Sequence, residues 1–389
     1  MVLKMKIALF SNYLNHHQLP FCQTMDILTN HQFVFVAFMP TPQFRIQLGY
    51  EEMNSEYPFV LRAYENKLNY INALKIANEY DLLIIGSAPE SIIQQRIKKN
   101  LITFRYSERL FKTGLWKMFS PRGIANRIKN YKIYTDKNIY MLCASAYTSF
   151  DCMLIGSYIR KVYKWGYFPQ YIQYDIDELW KKKKRRSILW VGRLINHKHP
   201  EYLINIAEKL KKSGYDFCID IIGNGDKKEE LKTSINEKRL EDYIHILGNM
   251  TPNDVRVHME KAEIFLFTSD FNEGWGTVLN EAMNSGCAVV ASHAIGSVPY
   301  LLKHGTNGLI YKNGNVEELY ALTKKLLDNP DYSKEIGVAA YHTIAQEWNA
   351  EVAAERLLLL YQDLLEKRKS NRYKEGPCSK AQIITNWWK

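Results

Sequence analysis

Thr268-Ser269-Asp270-Phe271-Asn272-Glu273-Gly274-Trp275-Gly276-Thr277-Val278-Leu279-Asn280-Glu281-Ala282-Met283-Asn284-Ser285-Gly286 is the stretch whose reading decides the fold of this chain. The apolar run that enters it, Ile264–Thr268, has the length of a β-strand. A glycine-containing loop follows, then a helix starting near Gly276 or Thr277. Gly286 suits the helix end, where a left-handed residue is needed. The first turn of such a helix offers unpaired N–H groups and a partial positive charge. Gly274 and Gly276 allow a phosphate to approach the backbone there. Glu273 precedes the helix, in reach of sugar hydroxyls beyond the phosphates, and Glu281 lies inside it, where a carboxylate can accept from a ribose diol. A surface helix with two solvated acids fits the spacing equally well.

Two further stretches have the same strand-to-loop character. Leu189-Trp190-Val191-Gly192-Arg193-Leu194-Ile195-Asn196-His197-Lys198 leaves a strand and turns at Gly192. Arg193 and Lys198 then lie near the strand's carboxyl end, where two cations suit a diphosphate. Ordinary surface charge ahead of a helix is the competing reading. Ile221-Ile222-Gly223-Asn224-Gly225 follows a strand and lacks the third glycine of a dinucleotide fingerprint, so alone it signals only a tight turn.

In this order and spacing, the three stretches resemble the carboxyl-terminal domain of GT-B glycosyltransferases of family 4, which are retaining sugar-nucleotide transferases. Glu273 and Glu281 match the family's E-x7-E element, and Arg193 with Lys198 its G-R-L-x3-K element. Gly248–Met250 falls where the family's nucleobase pocket contributes backbone contacts. In the segment Gly296–Gly308, Ser297 stands for the usual second glycine and Tyr300 for a usual acid. The resemblance covers about Ser187–Lys367. It implies two Rossmann-like doubly wound parallel-sheet domains facing across a cleft. It also implies Glu273, Arg193 and Lys198 as catalytic residues, and Glu281, Gly276, Thr277, Val278, Gly223, Asn249 and Met250 on the donor nucleotide. The donor would be a UDP- or GDP-linked sugar, with no metal and no other cofactor. The acceptor would be a glycan or a lipid-linked species in bacterial surface-polysaccharide synthesis. A sugar-nucleotide epimerase of the same fold, or a catalytically silent nucleotide- or membrane-binding relative, are the alternatives.

The rest of the chain fits this architecture. Strand-like and helix-like runs alternate, which marks an α/β fold with parallel sheets. Strands are expected at Lys6–Phe10, Phe33–Phe38, Leu82–Ile85, Leu101–Phe104 and Ile139–Ala144. A second series is expected at Ser187–Val191, Phe217–Ile222, Ile244–Leu247, Ile264–Thr268 and Ala288–Ala291. Leu203, Ile206, Ala207 and Leu210 form a helical stripe between them. The expected division is an acceptor domain over 1–168, a connection over 169–186 and a nucleotide-sugar domain over 187–348. A helix over 349–367 packs back on the first domain, and a tail follows over 368–389. In the first half, Asn15-His16-His17-Gln18 follows the first strand, and Arg105 and Glu108 follow a later one. His16, His17, Arg105 and Glu108 are the candidates for the acceptor or phosphate side, with helix capping as the competing role of the histidine pair.

Composition narrows the partners. The chain has 389 residues, with 52 Lys and Arg against 41 Asp and Glu, a net +11. Residues 91–140 hold twelve of the cations against two acids, and Lys181–Arg186 adds six more. The first cluster is interleaved with Phe104, Tyr106, Phe111, Trp116, Phe119, Tyr131, Tyr134 and Tyr140, which suggests peripheral contact with an anionic membrane. A solvated helix pair is the plainer alternative. No nucleic-acid reading module is visible. No run reaches the ~18 apolar residues of a membrane span, and Met1–Phe10 lacks a signal-peptide pattern. The six scattered cysteines read as free thiols of a cytoplasmic protein working at the inner face of the membrane. Asp175-Ile176-Asp177 sits in the connection and reads as a helix start. His197-Lys198-His199 lacks the further ligands of a metal site.

Overall fold

The computed structural model describes residues 5–47, 51–112, 120–130, 134, 136–368 and 371–385. They form two compact units. One comprises the described residues of Met1–Gln47, Glu51–Gln170 and Trp348–Trp387, and the other is Tyr171–Glu347.

The first unit holds a seven-stranded parallel sheet. Its strands are β1 (Ile7–Ser11), β2 (Phe33–Ala37), β3 (Val60–Arg62), β4 (Leu82–Ile85), β5 (Thr103–Ser107), β6 (Ile139–Cys143) and β7 (Val162–Lys164). Their order is β3-β2-β1-β4-β5-β6-β7. β1 and β4 are buried along their whole length, as parallel strands covered on both faces must be. The order reverses at β1, so the carboxyl ends of β1 and β4 form a topological switch point.

The second unit repeats the plan with six strands: β8 (Lys184–Val191), β9 (Cys218–Ile222), β10 (Ile244–Gly248), β11 (Ala262–Phe267), β12 (Ala288–Ser292) and β13 (Leu309–Tyr311). Their order is β10-β9-β8-β11-β12-β13, with the switch point at β8 and β11. The predicted stripe Leu203, Ile206, Ala207 and Leu210 lies on helix Glu201–Lys212, buried against Ile188, Trp190, Ile219 and Ile221.

Three strands escape the sequence reading. β3, β7 and β13 have three residues each, too few for a period to show. β7 lies near the end of the expected acceptor domain over 1–168, beyond the last strand expected there. It is an edge strand, and the chain's last described segment lies beside it. Lys164 donates to Ser379 at 2.7 Å, Cys378 to Lys164 at 2.8 Å and Ala381 to Val162 at 3.2 Å. The expected polar tail is therefore an edge cover in residues 378–381, while Trp387 and Trp388 lie outside the described residues. Helix Ala350–Leu365 belongs to this same unit, where the Tyr361 hydroxyl donates to Asp81 O at 3.1 Å.

The expected connection over 169–186 is structured and part of the second unit from Tyr171 onward. Asp175 caps helix Ile176–Lys181, accepting from Glu178 N, and β8 begins at Lys184, inside the basic run. Lys183 of that run is turned inward. Its ammonium donates to the carbonyls of Met259 (3.1 Å), Ala262 (2.7 Å) and Ser285 (2.9 Å), at the carboxyl ends of helices Pro252–Lys261 and Val278–Asn284. A cation there satisfies orphan carbonyls and complements two helix dipoles. Replacing it with an apolar chain leaves those carbonyls unpaired. Lys183→Met is expected to lose about 2–4 kcal/mol of stability in urea unfolding, and wild-type stability would show that the lysine is dispensable.

Candidate functional site

At the second unit's switch point, the loops after β8 and β11 hold each other. Trp190 Nε1 donates to Thr268 Oγ1 at 2.9 Å, and that hydroxyl donates to Lys198 O at 2.5 Å. Lys198 lies on a 3-10 turn, Asn196–Lys198. Its ammonium pairs with the Glu273 carboxylate, which also accepts from Ser269 Oγ at 2.9 Å. Only 13% and 14% of these two charged side chains is exposed, so each is the other's main compensation. Burial alone would push the Glu273 carboxyl up, but Lys198 and Ser269 hold it below its ordinary value. Two candidates from separate sequence elements thus meet across 75 positions of sequence.

The neighbouring loop follows β9. Gly223 has φ of +139°, and a Cβ there would stand 1.9 Å from Gly192 O. Only glycine lets the ends of β8 and β9 come this close. Arg193, next to Gly192, is exposed. Gly223 N donates to Gly248 O at 2.8 Å, which sets exposed Asn249 and half-buried Met250 beside the same strand ends.

Gly276 has φ of +81°, and a Cβ there would press on the Phe267 ring at 2.5 Å. The helix runs over Val278–Asn284, with Thr277 at its cap position. It closes as anticipated: Gly286 has φ of +67°, and Cys287 N reaches back to Ala282 O at 3.0 Å. Glu281 sits inside it. Burial raises its carboxyl above the ordinary range, and Arg256 opposes that. Arg256 donates to Glu281 O at 3.2 Å and Asn284 Oδ1 at 3.0 Å, fastening this helix to Pro252–Lys261. Ser297 and Tyr300 are buried.

His197 and His199 do not act alike. Burial, with Lys198 beside it, lowers the His197 pKa. His199 has φ of 49° and stacks on Tyr202, with ring centroids 4.8 Å apart. Its Nδ1 lies 2.8 Å from Glu201 Oε1 and its Nε2 3.4 Å from Asp270 Oδ2. These partners, Asp270 first, lift its pKa to about 9. Asp270 N donates to His197 O at 2.9 Å, so this cluster ties the Lys198 turn to the Glu273 loop.

The first unit's switch point has its own polar cluster. Tyr106 of β5 accepts from Gln18 Nε2 at 2.5 Å and lies 3.2 Å from Ser11 Oγ. Burial pushes its phenol up to about 12. Gly86 leaves room for this ring, since a Cβ would meet it at 2.4 Å. Asn15 and Gln18 are joined at 2.9 Å, and Asn15 Oδ1 accepts from His17 N at 3.0 Å. The His16 and His17 rings lie 3.7 Å apart. Burial, then the charge of Arg45, draws His16 down to about 4, and burial and His16 hold His17 well below its ordinary value. The pair is therefore neutral at pH 7. Glu108 pairs with Lys112 and accepts from Tyr167, whose ring is 6.5 Å from those of Tyr106 and His17. Arg105 leaves the opposite face of β5 from Tyr106 and pairs with Glu90. Sequence reading missed Tyr106 and Tyr167 as partners of this loop, because only the strand order brings them to Asn15 and Gln18.

Among the cations of 91–140 whose side chains are described, four are engaged inside the unit. Arg96 is fully buried and donates to the carbonyls of Ala77, Tyr80, Asp81 and Ile102 and to Thr103 Oγ1. Arg105 is paired as above, Arg109 with Asp151 at 3.0 Å, and Lys112 with Glu108. The expected basic face is smaller than the count suggested, and Trp116, Phe119 and Tyr131 lie outside the described residues. No helix among the described residues is long and apolar enough to cross a membrane.

Residues 173–343 match the family model described as glycosyl transferases group 1. Over 175 residues the chain is 31% identical to the amylovoran biosynthesis glycosyltransferase AmsK of Erwinia amylovora, covering 44% of this chain and 43% of that protein. Over 277 residues it is 27% identical to the N-acetylgalactosamine-N,N'-diacetylbacillosaminyl-diphospho-undecaprenol 4-alpha-N-acetylgalactosaminyltransferase of Campylobacter jejuni, covering 69% and 67%. The chain spans less than half the length of the first curated relatives it matches. Among solved structures, HepE of Anabaena in complex with UDP-glucose superposes with a TM-score of 0.65 at 17% identity, over 93% of this chain and 100% of that one. TarM gives 0.66 at 13% identity, over 92% and 99%. These likenesses show the GT-B fold, and residues 173–343, within the second unit, are similar to group 1 glycosyl transferases.

The raised His199 pKa has a definite sign. A protonated ring is favoured in the folded chain, so its contribution is complete below about pH 6.5. It fades as pH rises through about 9. Melting temperatures of the wild type and His199→Gln should therefore converge between pH 6 and pH 10. A gap that stays constant across that range would remove the charge from this cluster.

Proposed function

We propose that this protein is a retaining glycosyltransferase. It moves a sugar from a nucleotide-diphosphate sugar to a glycan or lipid-linked acceptor in bacterial surface-polysaccharide synthesis. The observation that carries the reading is the Lys198–Glu273 pair at the β8–β11 switch point, inside the segment that matches the group 1 family. That HepE is solved with UDP-glucose, and that the Campylobacter relative is named for a diphospho-undecaprenol acceptor, supports the substrate classes.

In this reading the departing diphosphate is the chemical problem, because negative charge grows on it as the sugar takes oxocarbenium character. Lys198 and exposed Arg193 neutralise that charge, so the reaction is proposed to need no metal. The backbone at Gly276, Thr277 and Val278 adds N–H donors. Before the donor binds, Lys198 and Glu273 compensate each other. Donor phosphate draws the ammonium away, and the freed carboxylate accepts from sugar hydroxyls. Glu281 receives the ribose diol, with Gly223, Asn249 and Met250 at the base. His16, His17 and Glu108 belong to the acceptor or phosphate side, and Arg105 acts there only through its strand. The remaining cations of 91–140 give contact with an anionic lipid surface at the inner face of the membrane.

Turnover of a labelled donor should fall about 10²–10³-fold in Lys198→Ala and in Glu273→Gln. Arg193→Ala and Glu281→Ala should instead weaken nucleotide binding in calorimetry. Wild-type turnover in the first pair would remove them from the chemistry. A thermal-shift panel of nucleotide diphosphates identifies the donor class, since a ligand at ~100 times its Kd adds about 2.7 kcal/mol. Proton NMR of the product's anomeric centre tests retention, and an inverted product would overturn it.

A further inference from the structure

One cluster on the second sheet has no part in the transfer reaction. Cys218 and Asp220 are two residues apart on β9, so their side chains leave the same face. His245 on β10 is the register partner of Asp220. The three side chains converge. Cys218 Sγ lies 3.5 Å from Asp220 Oδ1 and 3.4 Å from His245 Nδ1, and His245 Nδ1 lies 3.1 Å from Asp220 Oδ1.

Those separations have a chemical meaning beyond hydrogen bonding. Zinc binds thiolate at ~2.3 Å, imidazole at ~2.0–2.1 Å and carboxylate at ~2.0–2.2 Å, in a tetrahedron. At tetrahedral angles these lengths put neighbouring ligand atoms about 3.4–3.6 Å apart. The three atoms of this cluster already stand near three corners of such a figure, within a few tenths of an ångström, and the fourth corner is left to water. The donor set also selects the ion. Thiolate with imidazole suits a borderline-soft divalent metal, whereas Mg²⁺ and Ca²⁺ require oxygen.

Access and placement are consistent with this. Cys218 and Asp220 are half-buried and His245 is exposed, so an ion can enter without the fold opening. The other five thiols are buried. The cluster lies toward the amino-terminal half of β9 and β10, whereas Lys198 and Glu273 follow the carboxyl ends of β8 and β11. β10 is the edge strand of this sheet. An ion bridging it to β9 would pin the edge.

We propose that Cys218, Asp220 and His245 form a binding site for a zinc-class divalent metal that ties β10 to β9, separate from the transferase chemistry. The test uses the full chain, stripped of metal with a chelator and titrated with Co²⁺. The expected result is one equivalent bound, with a near-ultraviolet thiolate-to-cobalt band that Zn²⁺ displaces. Cys218→Ser should abolish that band. His245→Ala, a change at an exposed ring that the fold tolerates, should weaken Zn²⁺ binding at least tenfold. Zn²⁺ should also raise the melting temperature of the wild type and of neither variant. No thiolate-to-cobalt band in the wild type, or equal Zn²⁺ affinity in the wild type and both variants, would overturn the proposal.

Discussion

The Lys198–Glu273 ion pair is the constraint around which the second unit is arranged. Two opposite charges sit mostly out of water at the ends of adjacent parallel strands. Neither could be held there alone, since an unpaired buried charge costs several kcal/mol. The loops are shaped to keep the two together. Thr268 links Trp190 to the Lys198 backbone, and Asp270 links the same turn to the Glu273 loop. Gly223 and Gly276 remove the side chains that would force these loops apart. A pair that is stable only as a pair is also one that a phosphate can divide, because the phosphate replaces the carboxylate as partner of the ammonium.

Much of this was legible in the sequence, and the physical reason is locality. The strand, glycine loop and helix around Glu273, Glu281 and Gly286 are set by neighbours a few residues away, so their pattern is written in one stretch. What stayed hidden depends on strand order or register. Tyr106 meets Gln18 across 88 positions, and Cys218 meets His245 across 27, through pairings that no local pattern announces. The short strands β3, β7 and β13 failed for another reason: their neighbours, and not their own periodicity, make them strands.

Charge was the least transparent property. A cation counted in the sequence is assumed to face water, yet Arg96 and Lys183 lie inside networks of backbone carbonyls. Both sit where helix or strand ends leave acceptors unpaired. A long basic side chain can reach several such ends at once, which a neutral residue cannot do. The surplus that suggested an anionic partner is thus partly an internal structural material.

The way residues 378–381 lie along β7 has a consequence for how the molecule is made. The first sheet is built from strands that precede Tyr171 and is covered by residues 378–381, which follow Glu347. The second unit, an uninterrupted Tyr171–Glu347, is synthesised between them. On the ribosome it can complete its core while the first unit still lacks helix Ala350–Leu365 and its edge cover. The earlier-made unit is therefore the later one to finish, and until then β7 stands as an open edge of the kind that invites pairing with another chain.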